Sequence, residues 1–160
     1  MPNPYTPPGS PVKDPPNARR RSSLGAIALG FGVDILATMV VSTLLSVVAG
    51  VSLAAGGSSP EEAAALIDRS AGWLLIGMLG GLCCTVLGGY VAARFANHSE
   101  YANAFAVGVA SLVFGEAVLI AFSQELPLWL RLAGDLAVVP AALLGGHLRM
   151  LQKRAAAAAA

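Results

Sequence analysis

The sequence has little charge and very little cysteine. Only 12% of its 160 residues are Asp, Glu, Lys or Arg, roughly half the share found in an average soluble domain. Its two cysteines, Cys83 and Cys84, are adjacent, whereas a disulfide framework needs separated cysteines. Neighbouring helix residues point about 100° apart and no further metal ligands lie nearby. We therefore interpret both cysteines as reduced packing residues.

Recognisable catalytic motifs are also missing from the sequence. It contains no G-x-S-x-G elbow, no H-E-x-x-H pair and no Walker-type loop. His98 and His147 have no haem-attachment pattern beside them, so we expect solvated histidines at the inner membrane boundary. The segments outside the apolar runs are short. We therefore predict a non-enzymatic protein with no catalytic residues, no cofactor and no metal site.

Long apolar segments dominate the rest of the chain, which is 56% hydrophobic and has a mean hydropathy of +0.68. A membrane-spanning helix needs about 20 predominantly apolar residues. Four segments meet this length: residues 26–55, 71–94, 101–122 and 128–148. We predict an all-α fold, a polytopic membrane protein whose four-transmembrane-helix bundle occupies residues 24–150.

The first apolar run admits a second interpretation, a cleavable secretory signal peptide. A basic region precedes the run, and small residues at 52–55 resemble a cleavage site. The apolar core of a signal peptide is only about 7–15 residues long, whereas this run extends from Leu24 to Ala55 with Asp34 as its single charge. The length favours a membrane span.

Two low-complexity segments flank the predicted bundle. Residues 1–23 contain seven of the ten prolines, a density that prevents helical hydrogen bonding and predicts a disordered, solvated arm. Residues 151–160 end in six alanines, and we assign no function to this tail, which either extends the last helix or frays.

Local signals locate the helix boundaries between the spans. Ser59 precedes Pro60 and is followed three residues later by Glu62, the pattern of a capping box with proline at the first helical position. This pattern predicts a short helix through Asp68 before the second span. The connection from Ser123 to Pro127 is short, which predicts that spans three and four are antiparallel neighbours. Pro140 predicts a kink in span four.

The basic residues predict an orientation in the membrane. Cytoplasmic segments carry an excess of Lys and Arg, and placing both termini inside leaves only Arg69 and Arg131 on the outer side. Trp73 and Trp129 then fall at the outer boundary, where amphipathic rings are favoured. We predict a multi-pass protein of a bacterial inner membrane with both termini cytoplasmic. The basic residues on the cytoplasmic side are Lys13, Arg19, Arg20, Arg21, Arg94, Arg149, Lys153 and Arg154.

Two segments resemble parts of known membrane proteins. The chain opens Asn3-Pro4-Tyr5-Thr6-Pro7-Pro8, followed by Val12 and Asp14, and its second span ends Gly88-Gly89-Tyr90-Val91-Ala92-Ala93-Arg94. The opening is similar to the N-P-Y-x-P-P-type arm of small, uncharacterised four-helix bacterial inner-membrane proteins, and the second segment resembles one that recurs in such proteins. The resemblance implies a class and a location, without an activity or site residues.

Small residues at helical spacing predict where helices pack. Lipid supplies no hydrophobic force between helices, so close backbone contact through small residues carries much of their association. These residues serve either packing within one bundle or a surface for a second copy or a membrane-protein partner. The candidate packing residues are Gly77, Gly81, Gly88, Gly89, Gly108 and Gly115.

Ionisable residues inside the spans are the candidate functional groups. Glu116 lies roughly 9 Å, and Asp135 roughly 10 Å, below the outer surface at a helical rise of 1.5 Å per residue. Arg131 lies one turn before Asp135. We predict a Glu116–Arg131–Asp135 cluster in the outer half of the bundle. The cluster either fixes helix register or binds a cation or relays protons.

We expect a different setting for Asp34. Residues 35–55 are long enough to cross the bilayer alone, which favours a solvated Asp34 near the inner headgroups over a deep site. The most economical prediction is a small non-enzymatic membrane protein, in contact with lipid and not with nucleic acid, that associates with itself or with a membrane complex. The alternative is a small transporter or proton-coupled carrier that uses Glu116 and Asp135.

Overall fold

The computed structural model describes residues 23–96, 99–122 and 126–159, apart from the side chain of Asp68. These residues form five α-helices: α1 (Ser23–Ala55), α2 (Pro60–Arg69), α3 (Ala71–Ala96), α4 (Glu100–Ala121) and α5 (Leu128–Ala158). No strand occurs among them. The predicted all-α fold is therefore confirmed. The arm predicted over residues 1–23 lies outside the described residues, except that Ser23 begins α1.

Four of the described helices, α1, α3, α4 and α5, are long and apolar enough to cross a membrane. The exposed surface of these helices is rich in large apolar side chains, among them Leu36, Leu79, Val113 and Leu136. Such a surface is suited to lipid rather than water. The predicted four-helix bundle of a membrane protein is therefore confirmed, and α5 continues ten residues beyond the predicted end of the fourth span at residue 148.

The helices form a ring in which α1 packs on α3, α3 on α5, and α5 on α4, while α4 closes the ring against α1. Helices α3 and α4 also touch across the ring. As predicted, α4 and α5 are packed neighbours on either side of a short connection. We call the end of the bundle that holds Ser23, Ala96 and Glu100 the tail end. The opposite end, which holds α2 and the connection between α4 and α5, is the hairpin end.

The short helix α2 begins as its sequence predicts. The Glu62 amide donates to Ser59 Oγ at 3.3 Å, and the Ser59 amide donates to the Glu62 carboxylate at 3.0 Å. This reciprocal pair is a capping box, and Pro60 occupies the first turn, where its missing N–H leaves no hydrogen bond unmade. In α5 the helix continues through Pro140 and extends to Ala158, so the alanine tail is helical over most of its length.

Packing is much closer in the tail half of the bundle than in the hairpin half. The buried residues of α3 all lie between Cys84 and Ala96, and those of α4 between Asn103 and Gly108. A Cβ on Gly30 would lie 2.6 Å from the Gly88 carbonyl oxygen, so α1 and α3 meet backbone to backbone. Close contact through small residues thus holds together the tail half.

Candidate functional site

Asp34 lies in the interior of the bundle, and the prediction of a solvated residue near the headgroups is wrong. Its relative exposure is 3%. The prediction considered only how much of α1 suffices to cross a bilayer. It missed that Gly30, one turn away, lets α1 approach α3 closely enough to cover the Asp34 side chain.

Two hydroxyl groups from two other helices bind the Asp34 carboxylate. Thr85 Oγ1 on α3 lies 3.2 Å from Oδ1 and 3.4 Å from Oδ2. Ser111 Oγ on α4 donates to Oδ2 at 2.5 Å. Because three helices each contribute one side chain, the contact joins α1, α3 and α4 at a single point. We call these three residues the central site.

Helix register brings the central site together. Asp34, Thr85 and Ser111 each lie 11 residues from the tail end of their helices, counted from Ser23, Ala96 and Glu100 respectively. At a rise of 1.5 Å per residue this corresponds to a shared depth of about 16 Å. A comparison of depths along the three helices is the sequence signal that would have located this site.

Glycine makes room for the central site. A Cβ on Gly88 would lie 2.8 Å from the Cβ of Asp34 and 2.8 Å from the Gly30 carbonyl oxygen. Any larger residue at position 88 therefore pushes α1 away from α3, and with it Asp34 away from Thr85. The predicted packing role of Gly88 is thus coupled directly to the geometry of the carboxylate.

The structure brings together the three residues of the predicted outer cluster. Arg131 Nε donates to Glu116 Oε1 at 3.1 Å, and its Nη2 forms an ion pair with Oε2 of the same carboxylate. The Asp135 carboxyl interacts electrostatically with both Glu116 and Arg131. Arg131 thus binds the Glu116 carboxylate with two nitrogen donors. This bidentate arrangement fixes the relative orientation of the two side chains as well as the distance between them.

The outer cluster lies at the surface of the bundle rather than in a cavity. The side chains of Arg131 and Glu116 are 44% and 27% exposed. The long arginine stem can reach the headgroup level from this position. The cluster joins α4 to α5 near the hairpin end. The Arg131 guanidinium neutralises the Glu116 carboxylate, one of the two carboxylates in the cluster.

The six candidate packing glycines divide into two groups. Gly88, Gly89 and Gly108 lie against backbone or side chains of neighbouring helices. Nothing lies within 4 Å of the position that a Cβ would take on Gly77, Gly81 or Gly115. Packing of the latter group within the chain is not observed, because the helices approach less closely in the hairpin half. Four further glycines in close contact with a neighbouring helix are Gly30, Gly80, Gly145 and Gly146.

Polar contacts at the tail end connect α5 to α3 and α4. Tyr90 Oη donates to Gln152 at 2.7 Å, and Tyr101 Oη lies 2.6 Å from His147 Nδ1. Lys153 forms an ion pair with Glu100 at 2.5 Å. His147 is exposed, as expected, and His98 lies outside the described residues.

The remaining candidate features are apolar or isolated. A shallow groove between α1 and α4 is lined by Phe31 and by apolar residues of α4 such as Phe105 and Phe114. Both cysteines are free thiols, Cys84 buried and Cys83 exposed. Among the described residues no group of three His, Cys, Asp or Glu side chains is arranged to hold a metal ion.

Fold and surface together define the class, an all-α membrane protein with a four-helix bundle and an acidic residue at its centre. No protein-family model matches the sequence, and neither the curated proteins nor the solved structures contain a significant match.

Proposed function

We propose that the chain is a multi-pass protein of a bacterial inner membrane with both termini in the cytoplasm. Arg94, Arg149, Lys153 and Arg154 lie towards the tail end, together with the start of α1. The positive-inside rule assigns that end to the cytoplasm. In the same orientation α2 lies on the outer side.

Labelling of introduced cysteines tests this orientation. Ala64 is exposed on α2 and Ala157 is exposed near the end of α5. A membrane-impermeant maleimide should modify an Ala64→Cys variant in spheroplasts, and an Ala157→Cys variant only after lysis. The parent chain, which retains Cys83 and Cys84, is the control for background labelling. The reverse pattern would place the termini outside.

In this membrane the protein works without enzymatic activity, by associating with a second copy of itself. The observation that carries this proposal is the uncovered pair Gly77 and Gly81 on α3. The two glycines form a G-x-x-x-G pattern in an apolar helix, and none of the described residues of other helices lies within 4 Å of either Cβ position. This pattern allows two helices to approach backbone to backbone.

The position of the pair along α3 explains why it is available. Gly77, Gly81 and Thr85 follow one another at four-residue spacing on one ridge of the helix. Thr85 is buried, whereas Gly77 is exposed. The ridge therefore emerges from the bundle towards the hairpin end, where a helix from a second copy in the same orientation can pack on it.

Native mass determination in mild detergent tests the association. Gly77→Leu and Gly81→Leu should shift a dimer to a monomer, because a leucine side chain separates the two backbones. Gly50→Leu on α1 is the control, because no described residue of another helix lies within 4 Å of the Gly50 Cβ position either. A parent protein that is a strict monomer, or equal loss in all three variants, would contradict the proposal.

A second candidate function is proton-coupled transport, and the observation that favours it is the buried carboxylate of Asp34. Acidic residues inside membrane spans commonly mark ion pathways. In proteoliposomes the Asp34→Asn variant should then abolish flux driven by a pH gradient, and Glu116→Gln and Asp135→Asn should reduce it. Flux that is absent from the folded parent protein would exclude this function and leave the acids with a packing role.

A further inference from the structure

Within the described part of the chain, the Asp34 carboxyl group has hydroxyl partners and no cationic one. The two ion pairs among the described residues join Arg131 to Glu116 and Lys153 to Glu100, and neither includes Asp34. Buried carboxylates in membrane spans are usually paired with a positive charge. The central site therefore binds its carboxyl group with hydrogen bonds alone.

The hydroxyl group of Thr85 can form its hydrogen bonds in two alternative ways. A threonine hydroxyl has one hydrogen to donate and also accepts hydrogen bonds. Thr85 Oγ1 lies 3.2 Å from Asp34 Oδ1 and equally 3.2 Å from the Gly81 carbonyl oxygen, one turn back in α3. The single hydrogen serves either acceptor, and only one at a time.

This choice gives Asp34 two fully hydrogen-bonded states. When the carboxyl group is ionised, Thr85 and Ser111 both donate to it. When it is protonated, the carboxyl O–H donates to Thr85 Oγ1, and the threonine hydrogen turns to the Gly81 carbonyl. Ser111 continues to donate to the other carboxyl oxygen. No buried donor or acceptor is stranded in either state, so neither carries the cost of an unsatisfied polar group.

We propose that Asp34 is a reversible proton-binding site at the centre of the bundle, and that Thr85 is the positioning residue that accommodates both of its protonation states. The ligand is a proton, and binding it changes no heavy-atom contact. This site is independent of self-association through Gly77 and Gly81.

The groups that face Asp34 come from each helix packed around it. Cys84 on α3 is the neighbouring titratable group, and Thr38 on α1 hydrogen-bonds to its thiol. Ser111 is the group contributed by α4. None of these groups carries a positive charge, so none prevents protonation of the carboxylate by holding it ionised.

Helix α1 provides a polar approach to the site. Thr38, Ser42 and Ser46 follow Asp34 at four-residue steps, so their hydroxyl groups lie along one slowly turning ridge. Thr38 is half-buried, whereas Ser42 and Ser46 are exposed. The ridge connects the buried carboxyl group with the hairpin half, where packing is loosest.

Infrared spectroscopy of the full-length protein in lipid vesicles tests the proposal, because a protonated carboxyl group has its own C=O band. The band should grow as the pH falls, shift on exchange into deuterated buffer, and disappear in Asp34→Asn. Asp135→Asn is the assignment control and should leave the band in place. Absence of any band that depends on Asp34, at every pH at which the protein stays folded, would overturn the proposal.

Two hydroxyl variants test the role of Thr85, and they serve equally if Asp34→Asn does not fold. Ser111→Ala removes a donor to the ionised form and should raise proton affinity about tenfold, since hydrogen bonds to charged groups are the stronger ones. Thr85→Val removes a donor to the ionised form and the acceptor of the protonated form at once, so it should shift the C=O band itself, because the protonated carboxyl group loses its acceptor. Thr85→Ser should leave the band position unchanged.

The identity of the ligand is tested by adding sodium. A proton site has a pH midpoint that is indifferent to sodium at constant ionic strength. A midpoint that falls as sodium replaces potassium would show that a metal cation competes for the carboxylate, and would overturn a site specific for protons. A Thr85→Val variant with the parental band position would overturn the role assigned to Thr85.

Discussion

The two halves of the bundle hold their acidic residues in opposite ways. In the tail half, glycine and alanine bring helix backbones into contact. Where this half meets the hairpin half, Asp34 is buried between two hydroxyl groups. In the hairpin half, larger side chains separate the helices, and Glu116 lies at the surface, where it forms an ion pair with Arg131. Close packing excludes water from the first acid, and a cation neutralises the second.

The difference lies in the partner that each carboxylate has. Arg131 binds the Glu116 carboxylate with two donors and a positive charge. The Asp34 carboxylate is bound by the hydroxyl groups of Thr85 and Ser111. The sequence singled out Glu116 and Asp135 as candidate functional acids with either a packing or a functional role, whereas Asp34 is the acid that the structure buries.

The largest effect is expected from filling a backbone contact in the tail half. Gly145 on α5 lies against the backbone of Val86 and Tyr90 on α3, so Gly145→Leu forces the two helices apart. The loss should exceed the ~1–3 kcal/mol typical of overpacking, since backbone cannot move aside as a side chain does. Unfolding in a denaturing detergent titration measures it.

Gly134→Leu is the control on the same helix. It lies in the hairpin half and has nothing within 4 Å of its Cβ position, so we expect near-parental stability. Equal destabilisation by the two variants would remove the distinction between the halves.

An intermediate effect is expected at the central site. Asp34→Ala removes two interhelical hydrogen bonds, each worth about 0.6 kcal/mol on average inside a membrane, so the bundle should lose about 1 kcal/mol. Ser111→Ala removes one of them and should cost about half as much. The same detergent titration compares the two variants. A larger loss of stability in Ser111→Ala than in Asp34→Ala would contradict the assignment of one hydrogen bond to Ser111 and two to Asp34.

A smaller effect is expected at the outer cluster. Glu116→Gln removes the ion pair with Arg131, whose side chain is 44% exposed. Stability should fall at low ionic strength, and the difference from the parent should shrink in high salt, because counterions screen exposed charges. Glu61→Gln on α2 has the same charge change outside both ion pairs and is the control. A loss at Glu116 that does not depend on salt would mean that the pair is buried.

The smallest effect is expected at the tail end. Lys153→Met keeps most of the side-chain stem and removes the ion pair with Glu100. The Lys153 side chain is 49% exposed and lies on α5 beyond the predicted span, where solvent screens the ion pair. We expect stability indistinguishable from the parent protein in thermal unfolding monitored by circular dichroism. A loss of stability in Lys153→Met larger than that in Glu116→Gln would mean that the Lys153–Glu100 pair stabilises the protein more than the Arg131–Glu116 pair.

The sequence predicted the helices well because their signals are local. Twenty-residue apolar runs, the Ser59–Glu62 capping box and the short connection before Leu128 each act within a few residues. The outer cluster was predictable for the same reason, since Glu116 and Arg131 lie on helices that follow one another in the chain and are separated by few residues.

Contacts between distant segments were the part that sequence reasoning missed. Asp34 is separated by 51 residues from Thr85 and by 77 from Ser111, and a hydropathy pattern does not show which faces of three helices meet. For the same reason, the sequence did not show which candidate glycines contact a neighbouring helix and which do not. Gly77 and Gly89 look alike in sequence, and only the spacing between helices separates the covered glycine from the uncovered one.

The shared 11-residue distance of Asp34, Thr85 and Ser111 from the tail end limits how the gene can change in length. One codon inserted between positions 23 and 34 turns Asp34 by about 100° and moves it by about 1.5 Å along the helix, away from both hydroxyl groups. An insertion of the same size between positions 47 and 55 lengthens α1 without altering this register. Length variation should therefore accumulate at the hairpin ends of the helices and in their connections, and be excluded from the three segments between the tail end and the central site.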